Sequence, residues 1–162
     1  MKTMTLDDID RQILELLQGD GRMTNVDMAR AIGLTPGPAL ERVRKLESAG
    51  YLRGYVALAD AGKLGYGTMA FVSVVLGSHN AETSVKFRAA CQKIPEVLEC
   101  HHIAGDEDFL LKVVAADPAD YERLVLETLT DIPGVQKMKT TFVLSSSKLS
   151  TRIPVRVPAE KH

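Results

Sequence analysis

The stretch TNVDMARAIGLTPGPALERVRKLESAG, residues 24–50, decides the fold of the N-terminal part of this chain. Thr24 and Thr35 stand where hydroxyl side chains cap helices. Gly33, between them, is typical of a helix end. Pro36 suits a first helical turn, because its missing N–H would have no intrahelical acceptor there. The stretch therefore predicts a short helix, a tight turn and a second helix.

The second of these helices has two unlike faces. Helical spacing places an apolar set inward, namely Ala39, Leu40, Val43 and Leu46. A helix that docks in a major groove needs an apolar rear and a front whose Arg and Lys meet phosphates. An ordinary solvated helix face is the alternative, because Arg and Lys are common there. The predicted DNA-contacting set is Thr35, Gly37, Pro38, Glu41, Arg42 on the flank, Arg44, Lys45 and Ser48.

Residues on either side extend this unit to 1–58. Thr5 followed by Asp8 predicts the capped start of an earlier helix, and residues 19–21 predict its end. The predicted apolar face of this helix comprises Ile9, Ile13, Leu16 and Leu17. The short helix after Thr24 has a predicted apolar face of Met28, Ala31 and Ile32. Residues 51–58 predict extended chain that could form a short wing. The glycine-rich residues 59–68 predict a linker.

The second half alternates strands and helices in the order β-α-β-β-α-β. The predicted elements are strand Met69–Leu76, helix Ala81–Ile94, strands Val97–Ile103 and Asp108–Ala115, a helix from Asp117 to Ile132, and strand Val135–Leu144. Ile-Pro-x-Val occurs twice, at residues 94–97 and 132–135, each time between a helix and a strand. This order predicts an α+β chain whose residues 69–148 form a ferredoxin-like domain, followed by a tail at 149–162.

The predicted sheet is apolar on both sides. Phe71–Leu76 and Phe109–Val114 carry apolar side chains at both alternating sets of positions. Helices cover only one face of such a sheet, and the other face is expected to be polar in a monomer. The sequence therefore predicts that a second copy of the chain covers the open face.

Three carboxylates stand in the predicted connection Gly105-Asp106-Glu107-Asp108. Acidic side chains there could bind the ammonium group of a small ligand, and N–H groups around Gly105 could bind a carboxylate. A polar hairpin turn is the plainer interpretation, and a catalytic carboxylate pair lacks a nearby nucleophile or base. His101 and His102 are adjacent in a strand, so they point to opposite faces and do not suit one metal.

Composition excludes several classes of protein. The 162 residues carry a net charge of -1, so DNA binding must come from a local basic cluster. Cys91 and Cys100 form no CxxC motif and are interpreted as packed, reduced thiols. We expect no metal, no cofactor and no enzymatic activity, since phosphate-binding loops and GxSxG or HExxH motifs are absent. No stretch is apolar enough to span a membrane, so we expect a cytoplasmic protein.

Several motifs together resemble one family. They are LDDIDRQIL at 6–14, DGR at 20–22, GLTP at 33–36, LERVRKLE at 40–47, GYLRGY at 50–55, ECH at 99–101 and GDEDFLL at 105–111. In this order they are similar to the Lrp/AsnC family of leucine-responsive and asparagine regulators of transcription. The likeness runs from about residue 6 to residue 148.

The resemblance implies a winged helix-turn-helix on double-stranded DNA and a ferredoxin-like effector domain. It also implies homodimers joined through their sheets, often four dimers in a ring, with an amino acid bound between effector domains. Carried over by position, the effector contacts are Gly105, Asp106, Asp108, Met138 and Thr140.

Two departures bear on specificity. Where the family usually has a small hydroxyl residue and a cysteine, this chain has Gly37 and Ala39, so operator preference can differ. Where the family often has Thr or Ser, Met138 is bulkier and can change which effector fits. The competing hypothesis is an oligomeric metabolite-binding protein that acts through protein contacts without binding DNA.

Overall fold

A computed structural model describes residues 5–78 and 80–156. They form two compact units, which we describe separately. The first comprises the described parts of Met1–Leu58 and Lys148–His162, and the second is Ala59–Ser147. The predicted start of the first domain at residues 1–4 and the end of the tail at residues 157–162 lie outside the described residues.

The first unit is built from α1 (Asp8–Gly19), α2 (Asn25–Ala31) and α3 (Pro36–Ser48). Thr24 caps α2 as predicted, since its hydroxyl accepts a 3.1 Å hydrogen bond from Asp27 N–H. The predicted cap of α1 at Thr5 is wrong. Asp7 is the cap instead, because its carboxylate accepts a 2.8 Å bond from Asp10 N–H while Asp10 reaches back to Asp7 N–H.

The turn between α2 and α3 is fixed from both sides. Gly33 has a φ of 69°, which favours glycine, and lets Leu34 N–H reach the carbonyl of Ala29 at 2.9 Å. The amide of Asn25 at the start of α2 donates to Pro36 O at 2.7 Å. Both contacts set the position at which α3 begins.

The core of the first unit lies among the three helices. Its buried apolar residues are Ile13, Leu14, Met28, Ala29, Ile32, Ala39, Val43 and Leu46. Two predicted core positions are wrong. Ala31 is exposed and Ala29 is buried in its place, because α2 presents residues 28, 29 and 32 inward. Leu40 remains 37% exposed at the edge of the face formed by Ala39 and Val43.

Residues 51–58, the predicted wing, contain no strand, and the described part of the first unit offers none with which they could pair. Residues of the tail pack on α1 instead. The side-chain amide of Gln18 donates to Ile153 O at 3.0 Å and accepts from Ile153 N–H at 2.7 Å, and Val155 packs against the helical core.

The second unit follows the predicted β-α-β-β-α-β order. Its elements are β1 (Thr68–Leu76), α4 (Ala81–Cys91), β2 (Val97–His102), β3 (Phe109–Ala115), α5 (Pro118–Leu124) and β4 (Val135–Phe142). The sheet order is β2-β3-β1-β4, and every pairing is antiparallel. This is the ferredoxin-like arrangement that the sequence predicts.

The repeated Ile-Pro-x-Val sequences form similar turns. Val97 N–H donates to Ile94 O at 3.1 Å, and Val135 N–H donates to Ile132 O at 3.2 Å. Both helices differ from their predictions, and α4 ends at Cys91 and not at Ile94. Beyond α5, residues 125–129 widen into a π-helical turn, in which Thr130 N–H donates to the carbonyl of Val125 at 3.0 Å.

The two faces of the sheet are unlike. Toward α4 and α5, alternate residues of β1 and β3 are at most 1% exposed, namely Ala70, Val72, Val74, Leu76, Phe109, Leu111, Val113 and Ala115. The opposite face presents Met69, Phe71, Val75 and Leu110, all only half-buried. Within the described residues of this unit, no helix covers that apolar face.

Candidate DNA-binding and ligand-binding sites

One exposed surface of α3 collects most of the predicted DNA-contacting residues. Its exposed members are Gly37, Pro38, Glu41, Arg44, Lys45 and Ser48, and Thr35 is exposed just before the helix. Buried Ala39, Val43 and Leu46 hold the opposite side. Among the described residues, none accepts a hydrogen bond from the side chain of Arg44 or Lys45. Both cations are thus open to a polyanion, and contact with DNA stays a prediction.

Arg42 lies differently from these residues. Its Nη1 is 2.7 Å from Asp7 Oδ2 and 2.8 Å from Asp10 Oδ1, and the Asp10 side chain is only 4% exposed. The guanidinium therefore joins α3 to the first turn of α1. Sequence periodicity places Arg42 on the flank of the reading face, but the acidic residues opposite it come from another helix. The geometry favours a positioning role for Arg42.

The charges around Arg42 reinforce one another. Two hydrogen bonds hold the pKa of the Asp7 carboxyl below its usual value. The bond from Asp10 N–H has the larger effect, and the bond from Arg42 has the smaller one. The two aspartates in turn raise the pKa of Arg42. Asp7 therefore stays ionised as both helix cap and ion-pair partner, and α3 is fixed to α1 by charge as well as by apolar packing.

The acidic connection between β2 and β3 is a closed turn. Ile103 N–H donates to Asp108 O at 3.0 Å, and Asp108 N–H donates to Val74 O at 2.9 Å. Gly105 has a φ of 145°, a conformation that side chains disfavour. Asp108 Oδ2 accepts a 2.8 Å hydrogen bond from Leu76 N–H, so this carboxylate supports the end of β1. Asp106 is exposed at the tip of the turn.

Met138 and Thr140 lie on β4, on the other side of β1. Met138 is opposite Val74 and packs against the core, while Thr140 is opposite Val72. The Thr140 hydroxyl is 2.6 Å from the hydroxyl of Tyr121, which is 5% exposed. Tyr121 thus fixes one of the predicted effector contacts. The sequence predicts Tyr121 only as one residue of an apolar helix face and gives no sign of its bond to Thr140.

The five predicted effector residues do not converge within one chain. Asp108 bonds to β1 from the β3 side, whereas Met138 pairs with β1 from the β4 side. Neighbouring strands lie about 4.8 Å apart, so β1 separates the two groups by roughly 10 Å. Within one chain, β1 therefore stands between the two groups.

The adjacent histidines occupy opposite faces as predicted. His102 stacks on buried Phe109 with ring centroids 5.0 Å apart. On the other face, His101 Nε2 is 3.1 Å from Glu99, whose carboxylate also accepts a 2.9 Å bond from Lys112. These two bonds hold the pKa of Glu99 below its usual value, and the bond with His101 has the larger effect. In the part of the chain that the structure describes, neither histidine belongs to a group of three His, Cys, Asp or Glu residues that could hold a metal ion.

The described residues, 5–78 and 80–156, contain no group of three His, Cys, Asp or Glu residues arranged to bind a metal ion. None of their helices has both the length and the apolar character needed to cross a membrane.

Two family models match the chain. The Lrp/AsnC ligand-binding domain matches residues 69–153, and a winged helix-turn-helix DNA-binding domain matches residues 6–53. The chain belongs to the Lrp/AsnC family. It is a transcriptional regulator of the Lrp type, with a helix-turn-helix DNA-binding domain and a ligand-binding domain.

Relatives match nearly the whole chain. The leucine-responsive regulatory protein of Salmonella typhimurium is 42% identical over 151 residues, which are 93% of this chain and 92% of that protein. The protein of the same name from Escherichia coli K12 is 41% identical over the same shares. A Neisseria meningitidis regulator crystallised with L-Met is 37% identical, with a TM-score of 0.88 over 93% of this chain and 97% of that one.

Proposed function

We propose that this Lrp/AsnC regulator binds operator DNA through the exposed surface of α3 and responds to an amino acid bound between effector domains of different chains. The observation that carries the DNA part is the pair Arg44 and Lys45. Both are exposed on a helix whose opposite side is buried through Ala39, Val43 and Leu46, and no described residue neutralises either cation. A chain of net charge -1 needs such a local cluster to attract phosphate.

Removing the two cations tests the DNA surface. With Arg44→Ala and Lys45→Ala together, affinity for DNA from the protein's own upstream region should fall roughly tenfold for each side chain lost. The slope of log affinity against log salt should fall by about 2, because each phosphate contact releases about one counterion. Fluorescence anisotropy across a salt series measures both quantities.

A matched control removes the same residue types elsewhere. Lys86→Ala with Arg88→Ala takes one Lys and one Arg from α4, in the other unit, and should leave affinity and salt slope unchanged. An α3 variant that binds with the wild-type salt slope would disprove the assignment of the reading surface. Absence of salt-dependent binding in the wild type would favour the alternative of a regulator acting through protein contacts.

The proposed effector is an amino acid because of the chemistry of the turn. Asp106 is exposed and its carboxylate can bind an ammonium group, while the backbone at Gly105 can approach a carboxylate closely. Met138 and Thr140 of another chain would contact the ligand's side chain. Two observations support a shared pocket: β1 separates the two groups within one chain, and an apolar sheet face is left uncovered.

A thermal-shift series identifies the effector. L-methionine and L-leucine come first, because one similar structure contains L-Met and similar proteins are leucine-responsive by name. A ligand that binds the folded assembly raises its unfolding midpoint, and Asp106→Asn should abolish that rise without moving the midpoint of the free protein. If no amino acid raises the midpoint, the effector proposal fails, whatever the result with DNA.

We further propose a homodimer formed through the open sheet face, with four dimers in a ring as the larger assembly. Met69, Phe71, Val75 and Leu110 form the apolar centre of the dimer contact. Because operator DNA is the partner, the place of action is the cytoplasm. Light scattering of the wild type and of Phe71→Asp tests this arrangement, since a charge in that centre should shift the mass toward the monomer.

A further inference from the structure

The function proposed above uses neither of the two cysteines, although the fold brings them together. Cys91 is the last residue of α4 and is 2% exposed. Cys100 lies on β2 opposite Leu111, whose side chain is fully buried beneath the helices, so Cys100 points to the same side of the sheet as α4. Both belong to one packed cluster, in which Cys91 is a buried member and Cys100 packs against it.

The backbone between the cysteines is short and internally bonded. Ile94 N–H donates to Cys91 O at 3.2 Å, and Val97 N–H donates to Ile94 O at 3.1 Å. The end of α4 is thus held against the start of β2 by the turn that links them. A disulfide needs its two Cα atoms within roughly 7 Å, and this bonded turn keeps both cysteines in one cluster on one side of the sheet.

The two thiols differ in their surroundings, as an attacking and a resolving thiol do. Cys100 is partly exposed on an edge strand, next to His101 and near Arg88. The neighbouring Cys91 thiol, together with those charges, lowers the pKa of Cys100 to about 7. The neighbouring Cys100 and, to a smaller extent, burial raise the pKa of Cys91, which therefore keeps its proton. Reactive cysteines are accessible thiolates beside a second thiol.

We propose that Cys91 and Cys100 are a peroxide-oxidisable pair that closes into a disulfide between α4 and β2. The inference stands apart from DNA and effector binding, since it concerns side chains of the second unit alone. In the first step, the Cys100 thiolate attacks an oxygen of hydrogen peroxide. An S–O bond forms, the O–O bond breaks, and the departing hydroxide takes a proton to become water.

In the second step, the Cys91 sulfur attacks the sulfur of the Cys100 sulfenic acid. An S–S bond forms, the S–O bond breaks, and the leaving hydroxide combines with the Cys91 proton as a second water. Two thiols and one peroxide thus give one disulfide and two waters, with two electrons passing from sulfur to oxygen. The product would pin β2 to α4 three residues before Ile103, where the acidic turn closes.

Peptide mapping of the full chain tests the pair directly. Trypsin places Cys91 in residues 89–93 and Cys100 in residues 94–112, so a disulfide joins two separate peptides. After brief exposure of the reduced protein to hydrogen peroxide, we expect an intact mass lower by two hydrogens. We also expect the joined peptide before reduction and its loss after reduction. With only two cysteines in the chain, the assignment is unambiguous.

Single variants separate the two roles. Cys91→Ser should leave a sulfenic acid on Cys100 that dimedone captures, whereas Cys100→Ser should leave Cys91 unmodified at the same peroxide dose. An unchanged wild-type mass, oxygen added to each cysteine separately, or disulfides only between chains would each overturn the proposal. The wild-type map decides the matter even if a serine variant folds poorly.

Discussion

The surface of α3 and the turn at residues 103–108 both carry predicted binding residues, but only α3 brings its set to one surface within a single chain. On α3, helical spacing alone places Arg44 and Lys45 on the exposed side. Around the turn, Asp108 and Met138 lie on opposite sides of β1. The DNA surface is therefore complete in one chain, whereas the effector site is proposed to need two.

This difference also separates residues that bind from residues that position. Arg42 and Asp108 both stand among predicted contact residues, yet each bonds to a neighbouring element of its own unit. Arg44 and Asp106, close to them in sequence, are exposed. Substitutions that compare these neighbours test whether the distinction is real.

The largest effect on stability is expected from Arg42→Ala. The change removes two charge-assisted hydrogen bonds and leaves Asp10, whose side chain is 4% exposed, without its cation. The free energy of unfolding of the first unit should fall by about 2 kcal/mol. Urea denaturation followed by circular dichroism measures this loss.

Arg30→Ala is the control for that experiment. Arg30 pairs with Asp27 on the surface, where its side chain is 76% exposed, and its loss should cost less than about 0.5 kcal/mol. If Arg42→Ala is equally mild but weakens DNA binding as strongly as Arg44→Ala, Arg42 belongs to the DNA surface after all. The contrast between positioning and binding residues on α3 would then be lost.

The sequence predicts local features well because short-range physics determines them. Thr24 caps its helix as its residue type suggests, and hydrophobic spacing gives the order of strands and helices in the second unit. The missed features depend on distant residues. Arg42 has its partners 35 and 32 residues away, and a wing strand needs a second strand, of which the described part of the first unit holds none. The shared cluster of Cys91 and Cys100 likewise depends on the packing of α4 against β2.

A second, smaller effect is expected in the acidic turn. Asp108→Ala leaves Leu76 N–H, in a residue only 1% exposed, without its carboxylate acceptor. The free energy of unfolding of the second unit should fall by about 1.5 kcal/mol. Asp106→Ala should change it by less than about 0.5 kcal/mol, because Asp106 is exposed. Differential scanning calorimetry compares the two variants.

Binding of the amino-acid effector should depend on Asp106, the residue whose loss leaves stability nearly unchanged. Asp106→Ala should abolish the thermal shift caused by the amino-acid effector while stability is kept. Equal destabilisation by both variants would show that the whole turn is structural and would remove Asp106 from the proposed effector site.

The smallest effect concerns a contact of the first unit with a segment far along the chain. Gln18 forms two hydrogen bonds with the backbone of Ile153, 135 residues away, and Val155 adds an apolar contact. Gln18→Ala should lower the free energy of unfolding by about 1 kcal/mol, because both bonds lie on the surface. Hydrogen exchange of residues 149–156 should accelerate, since their backbone loses that anchor.

Gln12→Ala is the matched control, because Gln12 is an exposed residue of the same type on the same helix. Its exchange pattern should be that of the wild type. If Gln18→Ala leaves hydrogen exchange in the tail unchanged, the two hydrogen bonds of Gln18 do not anchor the tail. The first unit is then stabilised by contacts among its three helices alone.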